Sequence, residues 1–145
     1  MRIAPLVLLL MCTGSAAASE VCFTSGKSTY KLVKSATADV RIRVEGNNRA
    51  ADLRMQVVEQ AELADFIITD DVDEAVDPCA AKRITTVRAD ETDPRPDVTV
   101  ALTNRPEGAD YKVFVHSDTY RPQDAAAILA AMWKSTQRRN VADRR

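Results

Sequence analysis

Polar and apolar residues alternate in short runs along the chain: Val40/Ile42/Val44, Leu53/Met55/Val57, Val98/Val100/Leu102 and Tyr111/Val113/Val115. A period of two predicts β-strands that bury one face. Each run follows an aspartate, at Asp39, Asp52, Asp97 and Asp110, and a fifth, Asp65, opens DFIITDD. An Ala-Asp pair recurs at Ala38, Ala51 and Ala64 with a step of 13 residues, and Asp97 and Asp110 are again 13 apart. An aspartate just before a strand can accept N–H bonds from the adjoining turn, while alanine lets neighbouring connections approach closely. The pattern predicts strands over 38–45, 53–58, 65–69, 97–103 and 110–116.

Residues 82–88 predict a sixth strand, out of register, while 20–25, alternating around Val21 and Phe23, and 30–33 suit further short strands at the start. Phe66, Ile67 and Ile68 make the strand at 65–69 apolar on both faces, which predicts a central, buried position. Gly46-Asn47-Asn48 is a turn signal, and Asn104 to Gly108 suits a hairpin loop between the last two strands. Residues 49–63 are rich in helix formers, but the step of 13 favours a strand there over a helix.

Pro122 suits the first position of a helix continuing through Gln137, with Ala125, Ile128, Leu129, Met132 and Trp133 on one apolar face. Asp124 near its start and Lys134 with Arg138 near its end complement the macrodipole. The fold expected is α+β, mostly β: a repeat-built sheet of about six short strands with a C-terminal amphipathic helix, or a βαβ start if residues 49–63 are helical. About 17 helical residues are roughly 25 Å long and about 10 Å wide, whereas six strands cover about 28 Å. Such a face needs the sheet to curl on itself, a second helix at 49–63, or a partner.

The first residues change the picture of where this domain works. Arg2, the apolar run Ile3 to Met11 and the small residues Ala16-Ala17-Ala18 form a secretory signal layout, placing residues 1–18 in a signal peptide cleaved after Ala18. A lipidated Cys12 is the rival reading, with Met11 unsuited to the preceding position. The run is too short to span a bilayer, and no second one reaches that length. The exported domain is then 19–138, with a frayed basic tail at 139–145. Losing Arg2 leaves 19 basic residues against 21 acidic, a formal charge of −2. That balance marks no nucleic-acid binder. Cleavage also leaves Cys22 and Cys79, an even pair that predicts one disulfide in a periplasmic or secreted protein.

Candidate chemistry is sparse. Asp70, Asp71, Asp73, Glu74 and Asp77 offer the hard oxygen ligands calcium takes, without the Gly or terminal Glu of an EF-hand loop, so a solvated turn is the plainer reading. His116 is the single histidine. It falls on the face of Lys112 and Phe114, opposite Val113 and Val115, which predicts a surface position. Gly26-Lys27-Ser28 lacks the upstream glycine of a phosphate loop and reads as a turn. No serine sits in G-x-S-x-G, and aromatics at 5% argue against a sugar-stacking cleft. Trp133 belongs with the helix core. Lys134, Arg138, Arg139, Arg144 and Arg145 form a basic patch that suits anionic lipid or polymer, or a solvated helix end.

The Ala-Asp pair followed by alternating apolar positions resembles short tandem repeats in small secreted bacterial proteins with no assigned activity. The resemblance covers 38–71 and 97–116, implies a β-rich repeat, and brings no functional residues with it. The expectation is an exported, non-catalytic binding or structural module of the periplasm or cell envelope, with no cofactor and with an envelope protein or a second copy as partner. A calcium-binding module using residues 70–77 is the first alternative, and an enzyme with a site invisible in sequence is the second.

Overall fold

The computed structural model describes residues 22–70 and 77–142. The signal peptide expected at 1–18 lies outside the described residues. Eight strands form one sheet: β1 (Cys22–Ser25), β2 (Ser28–Leu32), β3 (Val40–Gly46), β4 (Leu53–Val57), β5 (Phe66–Thr69), β6 (Ile84–Ala89), β7 (Val98–Thr103) and β8 (Tyr111–His116). Their order is β1-β2-β6-β3-β7-β4-β8-β5. β1 and β2 pair antiparallel around Gly26, whose φ of 58° suits a residue without Cβ, and every other pairing is parallel. The mostly-β class holds, with eight strands rather than six.

The later strands are interleaved among the earlier ones. β6 separates β2 from β3, β7 separates β3 from β4, and β8 separates β4 from β5. This corrects two expectations. The 104–110 connection is no hairpin, since β7 and β8 are parallel and β4 lies between them. And β5, apolar on both faces, is an edge strand with Ile67 53% exposed.

Parallel neighbours normally need a long crossover, usually helical. Here the crossovers are short because each strand is staggered by two residues against the next. Asp97 at the start of β7 is level with Arg41, two residues after Asp39, and Asp110 is level with Arg54, two after Asp52. The chain therefore returns only a small distance before re-entering the sheet. Residues 49–63 are not helical beyond a single 3-10 turn at Ala61–Leu63; β4 occupies their middle, as the step of 13 favours.

The stagger leaves a main-chain N–H without a ladder carbonyl at each step, and the aspartates supply the acceptor. Thr86, Arg41, Thr99, Arg54 and Lys112 donate their N–H groups to the carboxylates of Asp39, Asp97, Asp52, Asp110 and Asp65 over 2.7–2.9 Å. The bond runs to the neighbouring strand, not to the adjoining turn. In return Asp97, Asp110 and Asp65 donate their own N–H groups to the carbonyls of Arg41, Arg54 and Lys112.

The helix α1 (Pro122–Ala142) runs past Gln137 and takes in residues 139–142 of the expected tail. Every residue from Ala125 to Ala131 is buried. Seven consecutive helical residues point in all directions, so the middle of the helix is enclosed on every side, beyond the single stripe expected. The sheet achieves this by curling: β2, β3, β4, β6, β7 and β8 all touch α1. Five alanines in that segment let the strands approach closely, and Ile42, Val44, Met55, Val87, Val100 and Val113 pack round Ile128 and Leu129. Tyr120, buried at the entrance to the helix, meets Phe23 of β1 edge-on at 6.2 Å and lies near Asp70 at the end of β5. Cys22 and Cys79 are disulfide-bonded with Cα atoms 5.3 Å apart, fixing the 3-10 turn at Pro78–Ala80 to β1.

Candidate functional site

The sheet face opposite α1 carries Arg41, Arg43, Arg54, Arg88 and Lys112, because β-alternation turns every second residue away from the helix. The crossover loops pass over this face. Loop 90–97 lays Asp93, 2% exposed, against Arg41, whose Nε and Nη2 both donate to its carboxylate. Arg43 bonds the Asp93 carbonyl and pairs with Glu45, and Arg88 pairs with Asp90. Loop 104–110 passes over Arg54, which donates to the Glu107 carbonyl at 3.0 Å.

Hydrogen bonds hold several of these carboxyls below the usual carboxylate range. The Arg41 guanidinium dominates at Asp93, the Thr92 N–H at Asp90 and the Thr86 N–H at Asp39. At Asp97 burial pushes upward, but Lys134 and the Arg41 N–H together outweigh it. Lys134, from the expected basic patch, is thus committed to an ion pair with Asp97, while Arg144 and Arg145 lie outside the described residues.

The acidic stretch divides. Asp70 accepts from the Ser117 hydroxyl and the Asp118 N–H, and Asp77 accepts from the Cys79 N–H to cap the turn that carries the disulfide. Asp71, Asp73 and Glu74 lie outside the described residues. Among the described residues no group of three or more His, Cys, Asp or Glu side chains is placed to hold a metal ion. His116 is exposed and stacked on Phe114 with ring centroids 6.2 Å apart. Ser117 nearby spends its hydroxyl on Asp70 and accepts the N–H groups of Thr119 and Tyr120, which suits a turn brace rather than a nucleophile.

Two clefts do not follow from the sequence reading. One, of about 210 Å³, lies between α1 and the β4-β8-β5 corner and is lined by Met55, Phe66, Tyr111, Met132, Trp133 and their neighbours. Phe66 and Tyr111 meet edge-on at 5.5 Å. Met132 and Trp133, assigned to the helix core, are only partly buried and form its wall. The other, of about 370 Å³, lies beside Arg54 and is lined by Arg49, Arg105, Asn47, Thr103 and Glu107. Arg49 and Arg105 come from separate connections and Arg54 from β4, so no local motif joins them.

No protein-family model, curated protein or solved structure matches this chain. No described helix is long and apolar enough to cross a membrane.

Proposed function

We propose that this is an exported, non-catalytic binding module of the periplasm or cell envelope that captures an extended apolar peptide along β5. The disulfide supports an oxidising compartment. The observation that carries the binding role is the mismatch at β5: a strand apolar on both faces occupies an edge. Leu63 and Ile67, more than half exposed, are the large exposed apolar residues among those described; Ile67 lies on this strand and Leu63 in the 3-10 turn that leads into it.

Asp65 donates its N–H to Lys112, so alternation turns the polar groups of Ile67 and Thr69 toward β8 and those of Phe66 and Ile68 outward. An added strand would bond to Phe66 and Ile68. Its helix-side residues would then lie beside Phe66 at the aromatic-lined cleft. Main-chain bonds would provide affinity and the cleft would select side chains, the usual division in strand addition.

A synthetic octapeptide alternating valine and threonine tests this reading. Titration should shift the emission of Trp133, the single tryptophan, and the amide resonances of Phe66 and Ile68. Leu63→Lys with Ile67→Lys should abolish both responses while leaving the fold intact. No response at millimolar peptide would refute the reading. A stable dimer of the free protein, broken by the same variant, would refute it differently, by assigning the edge to a second copy.

A further inference from the structure

We infer that the cleft beside Arg54 is a binding site for a small dicarboxylate. The molecule contains its own comparison. Arg41 and Arg54 occupy equivalent places: each lies two residues after a strand-opening aspartate and beneath a crossover loop. Each donates its main-chain N–H to the aspartate that ends that loop, Asp97 or Asp110, at 2.9 and 2.8 Å. Four residues before Asp97 the first loop carries Asp93, which grips the Arg41 guanidinium with both carboxylate oxygens. Four residues before Asp110 the second loop carries Pro106.

Arg54 therefore meets the Glu107 carbonyl where its counterpart meets a carboxylate. Gly108 keeps the guanidinium in place: its φ is +71°, and a Cβ there would lie 2.1 Å from Arg54 Nη1. Arg49 and Arg105, both exposed, line the same cleft. Among the described residues none of the three pairs with a carboxylate, whereas Arg41, Arg43, Arg88, Arg121 and Lys134 all do.

The chemistry of the ligand follows from this arrangement. A guanidinium presents a planar fork that matches a carboxylate with two parallel bonds, and Asp93 on Arg41 shows that pairing in the equivalent setting. Three arginines and Glu107 leave a formal charge of +2 around about 370 Å³, which matches two carboxylates on one small molecule. Asn47 and Thr103 add polar side chains to the lining.

Calorimetric titration with succinate at low ionic strength tests the inference, with acetate and phosphate as comparators at matched ionic strength. Succinate should bind at one saturable site. Arg54→Gln and Arg105→Gln should each weaken it at least about tenfold, and Arg139→Gln, far along the helix, should leave it unchanged. Arg105 is exposed and makes no side-chain bond among the described residues, so a loss there reports the site itself. Absence of heat up to about 10 mM succinate would overturn the inference, as would undiminished binding to Arg54→Gln or equal affinity for acetate or phosphate.

Discussion

Replacing Asp52 by alanine removes the acceptor for the Thr99 N–H, a bond of 2.8 Å at the junction of β7 and β4. The donor sits where the stagger leaves no ladder carbonyl, as the first N–H groups of a helix do, and removing a side-chain cap from such a group costs about 1 kcal/mol. The bond is exposed, so water can take the carboxylate's place and hold the cost near that figure. For a domain of this size, the melting temperature should fall by about 3–6 °C. Urea unfolding followed by Trp133 emission gives the free energy, and amide exchange at Thr99 locates it. Asp52→Asn should retain most of the stability, because its amide oxygen can still accept. Asp118→Ala makes the same charge change at a carboxylate that accepts no bond among the described residues, and should cost far less. Equal stability of Asp52→Ala and Asp118→Ala, with Thr99 exchange unchanged, would refute the account of the staggered edge.

Asp39, Asp90, Asp93 and Asp97 titrate below their ordinary range, so their contribution is complete above the unfolded carboxylate value of about 3.9 and is lost as pH falls through the folded values. Equilibrium unfolding from pH 6 downward should show a loss starting near pH 4. Tyr120 is pushed up to about 12, by burial first and then by Asp70 and Asp124. Ultraviolet titration should show one phenol ionising near pH 12, and its linkage should lower stability as pH rises from about 10 toward 12. Cys22→Ser with Cys79→Ser opens a link spanning 57 residues. It should cost up to about 4 kcal/mol, read as a lower denaturation midpoint. Gly108→Ala forces a side chain into the left-handed region and onto Arg54, and should destabilise by about 1 kcal/mol or more by urea unfolding.

Much of the fold was legible because its signals are local. The period of two identified β3, β4, β7 and β8, and Pro122 marked the start of the helix. The interleaving was not legible, because partners lie 47 to 56 residues apart and no local signal carries those offsets. Hence β5 was expected at the centre, where its apolar faces suggest, rather than at the edge. The enclosure of the helix did leave a trace: 125–133 reads AAAILAAMW, with no polar face at all. The cleft beside Arg54 depends on a missing residue, and Pro106 acquires meaning only once loops 90–97 and 104–110 are known to cross equivalent strands.

The strand order also decides when the sheet can form. Apart from the β1-β2 hairpin, every strand before residue 70 pairs solely with strands from residue 84 onward. Neither half of the sequence is a folding unit. A chain emerging N-terminus first can assemble only a four-plus-five-residue hairpin until β6 arrives. β5 gains its partner when β8 is present, and the core closes when α1 follows. Loop closure over such distances slows folding. A fragment ending before residue 84 should be unfolded however well its own strands are formed by pattern. For a polypeptide threaded through a narrow channel, this topology leaves β3, β4 and β5 without sheet partners until the trailing half has come through.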